Sequence, residues 1–154
     1  MRISVLYGTE TGNAEMLAED IQSALAEEHD VTCANLADTD PAELEGETFH
    51  VIVCSTYDDG NLPASAQPFA DRLKKGAHDL AGIRFAIFGL GDSEYDETFT
   101  HGSLKLSEML IAHGATQVGT RSVHDAAGND LPEDLAVPWI TDILTDLSVQ
   151  PEEV

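Results

Sequence analysis

The sequence predicts an α/β fold, a parallel sheet with helices on both faces, and three observations predict it. Strand-like and helix-like segments alternate along the chain as β-α-β-turn-β-α-β-α-β-α, an order that implies parallel strands joined by crossover helices. Two of the strand segments, Phe49–Ser55 and Arg84–Gly89, are almost continuously apolar, as strands covered on both faces are. The first strand breaks abruptly into a turn of small and polar residues, Gly8 to Asn13, where a helix pattern begins.

The elements follow in order. Ile3–Leu6 is the first strand. A helix from about Asn13 to Glu28 carries Leu17, Ile21, Ala24 and Leu25 at i, i+4, i+7 and i+8, one apolar stripe. Val31–Asn35 is the second strand, and Asp40-Pro41-Ala42-Glu43 reads as the capping-box start of a short helical turn. Phe49–Ser55 is the third strand. A turn-rich loop, Thr56 to Pro63, leads into a helix near Ala66–Lys75. Arg84–Gly89 is the fourth strand and opens into the loop Leu90 to Thr100. The next helix runs to about His113 with Leu106, Met109 and Leu110 on one face, and Gly114 is its C-cap. A fifth strand lies near Gln117–Ser122. The last helix carries Leu135, Trp139, Ile143 and Leu147 at helical spacing, with Trp139 read as core. Proline is tolerated in a first helical turn, so Pro138 places the start no earlier than Asp134. Residues 1–148 form one domain and 149–154 a tail.

A chain of 154 residues with 42% hydrophobic residues suits one globular core. No apolar run is long enough to span a bilayer, and Met1 runs straight into a strand with no signal-peptide pattern, so a soluble, cytoplasmic protein is expected. Cys33 and Cys54 sit in strand runs without a CxxC, and no two His lie at i, i+4; both cysteines read as reduced and structural, with no metal site. Asp and Glu number 29 against 7 Lys and Arg, a formal charge of −22. With no basic stripe to displace counterions, a nucleic-acid partner is excluded. Such a surface is either simply solvated, as in a salty cytoplasm, or steers the protein onto a basic partner.

The chemistry concentrates in three loops that follow strands, Gly8–Asn13, Thr56–Pro63 and Leu90–Thr100, and therefore gather at one end of the sheet. The first is a cradle for an anion. Amides at a helix start have no intrahelical partner, and the helix dipole favours negative charge there. Thr9 and Thr11 add hydroxyls, and Gly8 and Gly12 let the backbone come close. The other two loops each hold an aromatic, Tyr57 and Tyr95. Phosphate donors beside exposed aromatics suit a flat aromatic ring carrying a phosphate. A nucleotide P-loop requires GxxxxGK[ST], and no Lys stands near Gly12; Gly8 and Gly12 do not fit GxGxxG; a receiver domain requires acidic residues where Tyr7-Gly8-Thr9 stands.

Thr9-Glu10-Thr11-Gly12-Asn13-Ala14 resembles the phosphate loop of flavodoxins and of the flavodoxin-like domains of diflavin reductases. Ser55-Thr56-Tyr57-Asp58-Asp59-Gly60 resembles the second flavin loop of that family, and Gly89-Leu90-Gly91-Asp92-Ser93-Glu94-Tyr95-Asp96 the third. The length and Leu131-Pro132-Glu133-Asp134 are similar to the MioC-type short flavodoxins. The resemblance implies a three-layer α/β/α fold with a five-stranded parallel sheet in the family's order 2-1-3-4-5, and FMN as cofactor. It places the FMN phosphate on Thr9, Glu10, Thr11, Gly12, Asn13 and Ala14. It places Tyr57 and Tyr95 on the two faces of the flavin ring, and Asp58, Asp59 and Gly60, after Ser55 and Thr56, beside its N5 edge. Leu90, Gly91 and Asp92 would meet the pyrimidine edge, and Asp125 the ring or ribityl region.

The resemblance implies a monomeric carrier of single electrons at low potential, with no catalytic residue of its own. Its donor would be a basic-surfaced flavodoxin or ferredoxin reductase, and its acceptor a redox enzyme. Two other classes are an NAD(P)H-dependent quinone or nitro reductase and an interaction module without flavin. Two departures bear on the choice. Asp58 stands where the family's loop usually has Gly, at the peptide that turns over on one-electron reduction, so that form is expected to be less stabilised here. Tyr95 and Phe99 are one residue further apart than in the family, and no role is carried to Phe99.

Overall fold

The computed structural model describes residues 2–9, 12–44, 46–55, 62–76, 79–91, 101–119, 121–125 and 131–149, the side chains of 147–149 excepted. The elements are β1 (Arg2–Gly8), α1 (Asn13–Leu25), β2 (Asp30–Asn35), β3 (Phe49–Ser55), α2 (Gln67–Lys75), β4 (Arg84–Gly91), α3 (His101–Ala112), β5 (Thr116–Gln117), β6 (Ser122–Asp125) and α4 (Pro132–Val149). All paired strands are parallel, in the order β2-β1-β3-β4-β5, with β6 also on β4. This is the implied 2-1-3-4-5 sheet.

Strand alternation sorts the apolar side chains into two layers. Ile3 and Val5 of β1, Phe49, Val51 and Val53 of β3, and Ala86, Phe88 and Leu90 of β4 pack with α1 and α4. Leu6, Ile52, Cys54, Phe85 and Ile87 point the other way and pack with α2 and α3. Because both faces are covered, β3 and β4 are buried over nearly their whole length.

Several expectations change in detail. The fifth strand position is filled by two short strands rather than one run over Gln117–Ser122. β5 pairs with Arg84 and Phe85, and β6 with Phe88 to Gly91. Between them Gly119 turns at φ 72 close against α4, where a Cβ would stand 2.8 Å from Ile143 Cδ1. β4 runs two residues further than expected, so Leu90 and Gly91 end the strand instead of opening the loop.

α4 begins at Pro132, ahead of Asp134, and Pro138 lies inside it. Proline at the first helical position with Glu133 and Asp134 in the first turn is a strong start, and Asp134 N–H closes the turn onto Leu131 O at 3.1 Å. Pro138 is exposed, so the Asp134 carbonyl that it leaves without a donor lies on the solvent side. The inward face of α4 is Ala136, Ile140, Ile143 and Leu144, while Leu135 is exposed. Trp139 is half-buried and meets Phe88 edge-on at 5.5 Å between ring centroids. In α1 the buried stripe is Ala14, Leu17, Ala18, Ile21 and Leu25, and Ala24 faces out.

The short turn forms as read. Asp40 caps Pro41–Glu43, its carboxylate accepting from Ala42 N–H and Glu43 returning to Asp40 N–H. Gly114 ends α3 at φ 105, with Gly114 N–H on Ile111 O and Ala115 N–H on Leu110 O, the paired bonds of a Schellman cap.

Candidate functional site

The register brings together the strand ends that lead into the sequence-predicted loops. Gly8 lies beside Cys54, Cys54 beside Gly89, Ser55 beside Leu90, and Gly91 beside Asp125. Thr9, Ser55, Gly91 and Asp125 therefore stand along one carboxyl edge of the sheet. α1 leaves that edge to one face and α2 to the other, so a crevice opens between the ends of β1 and β3, where ligands of such sheets bind. Glu10, Thr11, Thr56, Tyr57, Asp58, Asp59, Gly60, Asp92, Tyr95 and Phe99 lie outside the described residues.

The first turn carries groups that could hold an anion. Gly12 takes φ 100 as the N-cap of α1, a conformation in which an L side chain is strained. Thr9 Oγ1 accepts from Gly12 N–H at 2.7 Å, so that amide is used within the turn while the Thr9 hydroxyl keeps its own proton to donate. The first helical bond is Met16 N–H to Gly12 O, 3.1 Å. The amides of residues 13–15 consequently point out of the helix start without an intrahelical carbonyl. Among the described residues, a Cβ built on Gly12 would meet nothing within 4 Å. Donor amides at a helix N-terminus, a free hydroxyl proton and a glycine-lined opening fit a phosphate group. A phosphate at such a site is stabilised without a basic side chain.

Other side chains hold this turn rather than line it. Tyr7, at the end of β1, donates its hydroxyl to Glu15 in the first turn of α1 at 3.2 Å. Burial raises the Tyr7 phenol above its ordinary range, and the Glu15 carboxylate raises it further. Gly8 allows close packing: a methyl there would stand 2.7 Å from Ala66 Cβ. Thr9 is also tied to Ser65, ahead of α2, a residue outside every motif in the sequence. Thr9 N–H donates to Ser65 Oγ at 2.7 Å and Ser65 N–H to Thr9 O at 3.2 Å.

At the β4 and β6 ends, the Leu90 side chain is buried in the α1/α4 layer, so only its backbone is offered to the edge. Gly89 is required by packing, because a methyl there would overlap the Ser103 hydroxyl. That hydroxyl accepts from Arg121 at 2.9 Å, and burial lowers the Arg121 guanidinium from its ordinary value. Cys54 is fully buried and its thiol is pushed up to about 12; Cys33 is half-buried, raised by burial first and by Glu19 and Glu15 next. Neither forms a disulfide.

A cavity of about 440 Å³ lies away from this edge, over β2, β1 and the start of β3, lined by Ser4, Thr32, Asp38, Glu43, Thr48 and His50 among others. Among the described residues no cluster of His, Cys, Asp and Glu could hold a metal ion, and no helix is long and apolar enough to cross a membrane.

Comparison with known proteins agrees with this geometry. The family model described as Flavodoxin matches residues 5–139. A MioC homolog from Haemophilus influenzae is 31% identical over 147 residues, covering 96% of this chain and 99% of its own. The NADPH-dependent diflavin oxidoreductase 1 of Aspergillus fumigatus is 38% identical over an alignment of 156 positions that takes in 93% of this chain but 24% of that protein, so the chain spans about a quarter of it. Among solved structures, a flavodoxin variant from Pseudomonas aeruginosa superposes with a TM-score of 0.82 at 26% identity, covering 96% of this chain and 99% of the other.

Proposed function

We propose, from the premise that the chain belongs to the flavodoxin family and is an FMN-dependent electron-transfer protein, that it shuttles single electrons at low potential. Its donor is a reductase with a basic surface and its acceptors are other redox enzymes. The observation that carries the reading is the amide-lined, glycine-opened turn at Gly12 to Ala14, set at the crevice between β1 and β3.

Bound FMN supplies the electron chemistry. The chain's residues bind and orient it. Thr9, Glu10, Thr11, Gly12, Asn13 and Ala14 hold the phosphate by amides and hydroxyls, the Gly12 amide acting indirectly by fixing Thr9. Ser55, Thr56, Asp58, Asp59 and Gly60 would hold the N5 edge of the ring, and Tyr57 and Tyr95 would stack on it and shield it from water. Leu90, Gly91 and Asp92 would bind the pyrimidine edge through backbone groups, with Asp125 beside the ring or ribityl region. Acidic side chains around this edge disfavour added negative charge, which lowers the potential of the last reduction. No catalytic side chain is required. The protein acts as a cytoplasmic monomer, with residues 1–148 as the binding domain.

The diflavin oxidoreductase named above joins a matching segment to a much longer NADPH-dependent chain, which supports a reductase as electron donor. The purified protein is expected to be yellow, to release FMN on denaturation, and to reduce an added acceptor only when a reductase and NADPH are present. A colourless protein that takes up no FMN overturns the reading. Steady NADPH oxidation by the protein alone assigns it to the reductases instead.

A further inference from the structure

We infer that Ser65 is a positioning residue for the phosphate turn, acting through the backbone of Thr9. The inference rests on the reading that residues 9–14 hold the FMN phosphate.

The two residues exchange a reciprocal pair of hydrogen bonds, Thr9 N–H to Ser65 Oγ at 2.7 Å and Ser65 N–H to Thr9 O at 3.2 Å. The contact continues inward through Thr9 Oγ1, which accepts from Gly12 N–H, and Gly12 O, which accepts the first helical bond of α1. Ser65 is thus the outer end of a bonded chain that runs through Thr9 and Gly12 into the first turn of α1, beside the amides of residues 13–15. The steric fit points the same way, since Gly8 and Ala66 approach so closely that a side chain at residue 8 has no room.

A turn containing two glycines loses much conformational freedom on ordering. A turn fixed before the ligand arrives avoids that loss at the moment of binding. Ser65 supplies the fixation from the segment that leads into α2. Removing its hydroxyl leaves Thr9 N–H without its partner and loosens the turn, while the ring-binding side of the site keeps its own residues.

Riboflavin, which carries the same ring without the phosphate, separates this role from a general structural one. The apoprotein is titrated with FMN and with riboflavin, followed by quenching of flavin fluorescence. Wild type is expected to bind FMN more tightly than riboflavin. Ser65→Ala is expected to weaken FMN about five- to tenfold, the scale of one lost hydrogen bond with its donor left unpaired, and to move riboflavin by less than about twofold. Ser65→Thr, which keeps a hydroxyl, is expected to restore the wild-type ratio. Equal weakening of both ligands in Ser65→Ala, or no change in either, overturns the positioning role. Equal binding of the two ligands by wild type overturns the phosphate reading instead, and the inference with it.

Discussion

Cys54 shows how one buried atom sets a pH response. Its thiol lies in the apolar layer against α2 and α3 with no exposure, and burial pushes its pKa from 9.0 to about 12. Below pH 9 the thiol is protonated in the folded and unfolded chains alike, and its contribution to stability is fully present. Between pH 9 and 12 only the unfolded chain ionises it, so the folded state loses stability as pH rises. Tyr7 is raised too and acts in the same direction above pH 10. Urea unfolding at pH 8 and pH 11 is expected to show a fall in wild type that is visibly smaller in Cys54→Ala; identical falls would discard the assignment. At this scale the sequence was legible where a local rule governs. Gly12 at a helix start and Gly114 at a helix end both take positive φ as their neighbours demand. Ser65 was not legible, because its partner lies 56 residues away and serine carries no signal for it.

Among the elements, α4 tests how local signals compete. A strong start at Pro132, Glu133 and Asp134 outweighs the missing bond at Pro138. Replacing Pro138 by Ala restores a donor for the Asp134 carbonyl. It is expected to raise the unfolding free energy by about 1 kcal/mol or more, measured by urea denaturation; lower stability would mean that the proline is required by its packing. The same helix shows the limit of periodicity. Leu135, Trp139 and Ile143 are spaced as a stripe, yet Ala136, Ile140 and Ile143 form the inward face. Small side chains are chosen where α4 lies close to the sheet, as Ala14 and Ala18 are in α1. Hydrophobicity alone ranks leucine and tryptophan above alanine and so rotates the face by about one residue: Leu135 is exposed, while Trp139 still packs against the core. Strand periods in β3 and β4 were read correctly because burial on both faces leaves no choice of side.

Across the whole molecule, charge is distributed with a direction. Arg2 and Arg84 open β1 and β4, and Lys74 and Lys75 close α2, so four of the seven Lys and Arg stand at the amino edge of the sheet. Lysines in a last helical turn also complement the dipole. The carboxyl edge carries Glu15, Asp125, Glu133 and Asp134 among its described residues. With a net charge of −22 and four of its seven cations at the amino edge, the chain is expected to meet a basic partner at its carboxyl edge. Electron transfer from a basic reductase is expected to slow about tenfold or more between 0.05 and 0.5 M NaCl, as exposed charges are screened. A rate independent of salt, followed by stopped-flow absorbance, would leave the charge with a solvating role alone.

Element order and the glycine turn that opens α1 were determined by the sequence itself. These depend on period, capping and glycine placement, all of which act within a few residues. The family's motifs then supplied the strand order and the cofactor, which periodicity alone does not contain. Only the tertiary structure decided the split of the fifth strand around Gly119, the inward face of α4 and the Thr9–Ser65 clasp. Each is a contact between segments distant in the chain, fixed by the space that packing leaves.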